Sequence, residues 1–203
     1  MMTKKVFLIL FIPFLMEMIF ACCDCKDPVF SYFTHKNLDL NILDNSGPDC
    51  VITESNQIAK SAFGIQIKLD RKEKTAFNWF SKPSIFTKSY AFDCYCPAEE
   101  QFKAADSINA IEIICLTDFD SLHPANSNIT EFFRVYENFS FYSIKTFINE
   151  KQITQFEFFE YEQLIFNLLL IDPPAFKTQK FKINISFSDG RILSSETRTI
   201  ELI

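Results

Sequence analysis

The densest grouping of chemically able side chains is Asp118-Phe119-Asp120-Ser121-Leu122-His123-Pro124-Ala125-Asn126-Ser127-Asn128. It collects carboxylates, amides, hydroxyls and one imidazole within a single short segment. Calcium takes several oxygens from one flexible loop, but the glycine and the closing bidentate glutamate of an EF-hand are missing here. A polar loop that spends its oxygens on its own backbone accounts for the same residues, so no metal is expected. The chain has two histidines, His35 and His123, and neither stands in a His-Glu-x-x-His arrangement. No Gly-x-Ser-x-Gly elbow presents a serine nucleophile. The three glycines, Gly47, Gly64 and Gly190, are isolated, which excludes a glycine-rich phosphate cradle. Carboxylates are plentiful, but no pair is marked out for acid and base work on a glycoside. No catalytic residue and no cofactor are assigned.

Cysteine supplies the other chemistry, at positions 22, 23, 25, 50, 94, 96 and 115. The first of them follows a distinctive leader. Lys4 and Lys5 precede Val6–Phe20, which is apolar except for Pro13 and Glu17. That run is shorter than the roughly 20 residues of a spanning helix, and Glu17 would be costly at a bilayer centre. Ile19-Phe20-Ala21-Cys22 resembles the lipobox of bacterial lipoproteins, although Phe20 replaces the small or β-branched residue usual there. The resemblance implies that the Cys22 thiol takes a diacylglycerol and that residues 1–21 are a signal peptide removed before it. Cys23 is a poorer acceptor, since Cys22 would then precede it. More than one acyl chain gives stable attachment. Cys23-Asp24-Cys25-Lys26-Asp27 looks like the surface-export signal of Bacteroidota-type lipoproteins, which implies the outer membrane and exposure at the cell surface.

With Cys22 lipidated, six cysteines remain for an oxidising compartment. If Tyr90–Cys96 is a strand, Cys94 and Cys96 point the same way and need separate partners. Cys23 and Cys25 are the expected ones, pinning the tether to the domain. Cys115 lies in an apolar strand and is expected as a buried free thiol. The spacing Cys-x-Cys differs from the Cys-x-x-Cys of most zinc sites. Asp106-Ser107-Ile108 and Asp120-Ser121-Leu122 match the Asp-Ser-apolar pattern of O-glycosylation in Bacteroidota-type envelopes, and Ser121, in a loop, is the better candidate.

The elements that must position these groups are mostly strands. Leu38, Leu40 and Ile42 alternate with polar residues, as do Ile65, Ile67 and Leu69. Asp44–Pro48 and Arg71–Lys74 read as turns or loops. Ile108–Leu116 is rich in β-branched residues, and Leu164–Ile171 reads as a buried strand stopped by Asp172-Pro173-Pro174. Phe181, Ile183, Ile185 and Phe187 alternate with polar residues up to Asp189-Gly190, a two-residue hairpin turn, and Arg198–Leu202 forms a last strand. Asn128, followed by Ile129, Phe132, Phe133 and Tyr136, has helical spacing and a capping signal. Ser143 before Ile144, Phe147 and Ile148 starts a second helix. These elements predict a mostly β chain, an Ig-like antiparallel β-sandwich with one or two short helices. Residues 1–21 are the signal, 22–30 the lipidated tether and 31–203 the domain.

The formal charge of the whole chain is −6, and the leader contributes Lys4, Lys5 and Glu17, so the remainder carries −7. That does not suit nucleic acid, whose binders need a basic footprint. The 25 phenylalanines are read as core. Trp79, in Phe77-Asn78-Trp79-Phe80, could stack on sugars if it or neighbouring tyrosines were exposed in a groove, and is set against ordinary packing.

The Cys-Cys-Asp-Cys tether, Ser89–Cys96, Ile111–Asp120, His123–Phe133 and the terminal Phe187-Ser188-Asp189-Gly190-Arg191 together resemble an uncharacterised family of Bacteroidota-type lipoproteins. The resemblance implies a lipid anchor and a β-rich domain, and carries no activity. The expected role is therefore a non-catalytic binding or structural accessory of the cell envelope, meeting the membrane through its anchor and an envelope protein or glycan as partner. The alternative is a surface protein that binds or processes glycans.

Overall fold

A computed structural model describes residues 29–74, 100–153 and 163–203. The signal, the lipidation site Cys22, the paired candidates Cys23, Cys25, Cys94 and Cys96, the strand expected at Tyr90–Cys96, and Trp79 lie outside the described residues. Described residues within Ser31–Thr75 and Phe102–Ile203 belong to one compact unit.

Alternation of apolar and polar residues sets the strands. β1 (Val29–Asp44), β2 (Val51–Ile52), β4 (Phe63–Lys74), β5 (Glu100–Ala104), β7 (Phe133–Glu137), β8 (Ser140–Tyr142) and β9 (Gln163–Leu170) form a seven-stranded sheet. Its order is β2-β1-β4-β9-β7-β8, with β5 also on β1. A second sheet places β11 (Phe181–Phe187) between β12 (Ile192–Glu196) and β6 (Ile108–Cys115). The third joins β10 (Thr178–Gln179), β13 (Ile200–Leu202) and β3 (Gln57–Ile58). The strand pairs in register are antiparallel except for β13 on β3, which is parallel.

The molecule is mostly β, with a shared core between sheets as in a sandwich. On β4, Ile65, Ile67 and Leu69 are fully buried, and so are Phe181, Ile183 and Ile185 on β11. Phe63 stacks on Phe181 with ring centroids 5.4 Å apart, and Phe133 meets the same ring edge-on at 5.7 Å. Phenylalanine fills this core, as the composition predicts. Gly64 is where the sheet demands a missing side chain. A Cβ there would lie 2.6 Å from Leu169 Cδ2 and 2.9 Å from the Leu168 carbonyl oxygen.

The helix expected from Ser143 is present as α1 (Ile144–Ile153). Ser143 Oγ accepts from the Thr146 N–H at 3.0 Å, an N-cap bond, and Ile144, Phe147 and Ile148 are buried. The helix expected after Asn128 is absent. Residues Thr130–Phe132 make one 3-10 turn, and β7 follows with Phe133 and Val135 buried. Asn128 Oδ1 accepts from the Thr130 N–H (3.0 Å) and hydroxyl (2.7 Å). It closes a local turn, and the period-two face of Phe133 and Val135 outweighs the chance helical spacing. Arg71–Lys74, expected as a turn or loop, continues β4 in register with Tyr32–His35. The last hairpin also differs. Phe187 N–H donates to the Arg191 oxygen, and Gly190 N–H to the Phe187 oxygen. The loop is therefore the three residues Ser188-Asp189-Gly190, closed by Gly190 at φ 84°.

No helix among the described residues is long and apolar enough to cross a membrane, which leaves spanning by strands unaddressed.

Candidate functional site

The bulge in β1 determines which titratable groups meet. His35 pairs with Arg71 and Leu38 with Leu69, so β1 carries one extra residue across this step. The extra residue reverses the alternation. His35 therefore shares the buried face of Leu38 and Ile42 instead of facing outward. Its ring is 4 % exposed, stacked on Phe187 at 5.4 Å and met edge-on by Phe33 at 5.6 Å.

Two further elements bring charge to it. Asp106, 2 % exposed, comes from the turn between β5 and β6, and its Oδ1 lies 3.5 Å from His35 Nδ1. Arg191 reaches back from the β11–β12 hairpin. Its Nη1 donates to the His35 main-chain oxygen and its Nη2 to Thr34 Oγ1, both at 2.7 Å. Nη2 also donates to the Asp106 carboxylate, and Thr34 Oγ1 donates to Asp106 Oδ2 at 2.7 Å. Asp189 Oδ2 accepts from Arg191 Nε at 2.6 Å.

Burial pushes the His35 pKa down. The Asp106 charge pulls it upward without winning, and Arg71 and Arg191 add to the downward shift. Arg191 is held above its ordinary value chiefly by its bond to Asp189. The imidazole is thus neutral and enclosed by two phenyl rings, with its nitrogens beyond hydrogen-bond geometry. Thr34, the hydroxyl beside it, is committed to Asp106. The arrangement ties a hairpin tip to β1 and to the β5–β6 turn, and it offers no open face of the imidazole to a substrate.

The loop at 118–128 spends its oxygens on itself. Asp120 Oδ1 accepts from the Leu122 and His123 N–H groups, both at 2.8 Å, and contacts His123 Nδ1 at 2.9 Å. Burial acts to raise the Asp120 pKa, but these bonds outweigh it and hold the carboxyl low. Asp118 Oδ1 accepts from the Ala125 N–H at 2.8 Å. Phe119 is buried beneath, 4.9 Å from Phe132. Asn126 takes φ 71°, a turn geometry that asparagine tolerates. Among the described residues no group of His, Cys, Asp or Glu side chains is placed to hold a metal. Ser121 is exposed at the apex.

Cys115 is a buried free thiol, its Sγ 3.4 Å from the Pro124 and Ser127 oxygens. Burial pushes that thiol's pKa up, which lowers its reactivity. Cys50 is free and half-buried.

Residue type and spacing single out neither Thr34 nor Arg191, and they give His35 no particular place. The bulge that turns His35 inward has no signature in residue type. The Asp189-Gly190 turn is visible in the sequence, but not that Arg191 beside it reaches back to His35.

A family model described as Domain of unknown function (DUF5034) matches residues 35–198, and the chain belongs to that family. No curated protein and no solved structure matches it.

Proposed function

We propose that this member of the DUF5034 family is a lipid-anchored protein of the bacterial cell envelope, of the Bacteroidota type. It sits on the outer membrane at the cell surface, and its β domain serves as a non-catalytic binding or structural accessory. The observation that carries this reading is the leader Lys4-Lys5, Val6–Phe20 and Ala21-Cys22, with a thiol where an apolar run ends in a small residue. The described polar clusters fit the same reading. His35, Asp106 and Arg191 brace a hairpin, and Asp118 and Asp120 brace a loop. Ser121, exposed within Asp120-Ser121-Leu122, is the proposed glycan carrier. Cys23 and Cys25, paired with Cys94 and Cys96, would fasten the tether.

Metabolic labelling with an alkyne fatty acid tests the anchor. Label is expected on the wild-type chain and absent from Cys22→Ala, which should also keep its leader. Label retained by Cys22→Ala would reject the reading. Cross-linking on intact cells then asks for the partner, an envelope protein or glycan-bearing component. An intact mass equal to protein plus lipid alone would reject the glycan on Ser121.

A further inference from the structure

The face of the seven-stranded sheet opposite the buried Ile65, Ile67 and Leu69 carries a row of side chains that crosses five strands. Asn41 on β1 faces Gln66 on β4, and Gln66 faces Asn167 on β9. Asn167 faces Tyr136 on β7, and Tyr136 faces Phe141 on β8. Register partners of antiparallel strands share a face, so these side chains stand side by side across about 19 Å. Asn41 Nδ2 donates to Gln66 Oε1, and Gln66 Nε2 to Asn167 Oδ1, both at 3.2 Å. Among the described residues, two bonds join the three amides and use only part of their donors and acceptors.

The row ends in rings. Phe141 is 58 % exposed and packs on Tyr136 with ring centroids 5.1 Å apart. β7 and β8 join through the tip Asn138-Phe139, where both residues take positive φ, 49° and 59°, and the Phe139 ring is 86 % exposed. Ile165, on the Asn167 face of β9, is 47 % exposed. Amides with spare bonding capacity beside exposed rings suit a sugar. Its hydroxyls both donate and accept, and its C–H faces pack on aromatic rings.

Charge enters elsewhere on the same face. β4 and β9 keep unbroken register from Gly64 and Leu169 to Asp70 and Gln163. Asp70 therefore shares the Gln66 face, about 14 Å further along β4. There the β1 bulge lines a pocket of about 350 Å³ with Lys36, Asn37, Asp70, Arg71, Lys72 and Gln163. The Asp70 carboxylate is spent within it, Oδ2 accepting from Asn37 at 2.9 Å and Oδ1 from Gln163 at 2.8 Å. Lys36 and Lys72 are exposed, and neither has a carboxylate partner among the described residues. A chain of net charge −6 thus keeps a local surplus of positive charge at this pocket.

We propose that this face binds an acidic polysaccharide, a strand of sugars bearing carboxylates. One uronate sits in the pocket against Lys36 and Lys72, and neighbouring sugars lie across Asn41, Gln66 and Asn167 toward the Tyr136 and Phe141 rings. The pocket supplies charge complementarity, and the row matches hydroxyls. An acidic peptide would satisfy the pocket but bring no hydroxyls to the amides. The inference rests on the binding role proposed above for the β domain, and not on the Cys22 anchor.

The test uses the full chain in detergent micelles, with immobilised polygalacturonate, alginate and hyaluronate as probes. Wild type is expected to bind at least one of them, and to bind its methyl ester, which keeps the hydroxyls without the charge, more weakly. Lys36→Glu with Lys72→Glu should weaken binding roughly tenfold or more, and Asn41→Ala with Gln66→Ala about threefold. Each variant is compared at unchanged Tm. Lys177→Glu, in the loop before β10, should bind as wild type does. Binding to none of the three polymers overturns the proposal. So does equal binding to polyglutamate, which would make the face a site for acidic peptide. Binding that both double variants leave intact places the polymer elsewhere and also overturns it, as does an equal loss in Lys177→Glu. Fatty-acid labelling and cross-linking on cells read the wider role separately. A chain labelled at Cys22 and cross-linked to an envelope protein, yet indifferent to all three polymers, overturns the glycan and leaves that role standing. An unlabelled chain that binds them supports the site and overturns the anchor.

Discussion

Arg191 and Asp106, 85 residues apart in sequence, share a hydrogen bond in which the carboxylate is buried and the guanidinium reaches the surface. Around that bond Thr34, His35 and Asp189 complete a lattice that joins β1, the β5–β6 turn and the last hairpin. Its energetics are asymmetric. Arg191 can hydrate if Asp106 is removed, whereas Asp106, 2 % exposed, cannot hydrate without opening the turn.

Arg191→Ala is therefore expected to cost about 2 kcal/mol, below the cost of breaking a fully dry pair because the guanidinium is 39 % exposed. Asp106→Ala alone should cost less, and the double variant less than the sum. Urea midpoints for the three variants and wild type make the cycle. Strict additivity would mean that the two side chains are energetically independent.

His35 gives the fold a pH dependence whose sign follows from its lowered pKa. The unfolded chain binds the proton at higher pH than the folded one, so protonation favours unfolding. The contribution is fully present above the ordinary histidine value of 6.5 and declines as pH falls below it toward the lowered folded value. Unfolding midpoints between about pH 8 and pH 5 should fall more steeply in wild type than in His35→Phe. Parallel profiles would show that His35 is not the titrating group.

Strands with strict alternation are legible in the sequence. Phe181, Ile183, Ile185 and Phe187 are buried as their period requires, because one face of β11 meets the core and the other does not. α1 is legible from its cap and its Ile144, Phe147 and Ile148 face. Ile129–Tyr136 misleads because a chain so rich in apolar residues satisfies i, i+3, i+4, i+7 by coincidence, and only five residues carry the true alternation. Arg71–Lys74 reads as a turn or loop because four consecutive charges hide a strand that pairs through its backbone. The His35 cluster is illegible since it depends on one extra residue in β1. The aromatic tip is equally so, because Asn138-Phe139 lacks the glycine that announces a two-residue hairpin.

Gly64 carries a prediction of opposite character, since its constraint is purely steric. Leu169 Cδ2 can swing away from a new Cβ, but the Leu168 carbonyl oxygen at 2.9 Å belongs to the paired strand, and Leu43 Cβ at 3.3 Å is fixed to its backbone. Gly64→Ala should force β4 and β9 apart and cost about 1–3 kcal/mol, seen as a lower Tm. An unchanged Tm would mean that the sheet yields at this point without penalty.

Phe139 supplies the reverse case, a large apolar residue whose removal should strengthen the fold. At φ 59° a residue with a Cβ is strained by about 1–2 kcal/mol relative to glycine. Because the ring is 86 % exposed, little packing offsets that strain. Glycine gives part of the gain back through its freer unfolded chain. Phe139→Gly is therefore expected to raise stability by about 0.5–1 kcal/mol, read from urea midpoints at constant slope. Phe141→Ser, in a strand and packed on Tyr136, should instead lower it slightly. A loss of stability in Phe139→Gly would mean that the ring serves the fold. A gain would leave the aromatic side chain without a folding reason.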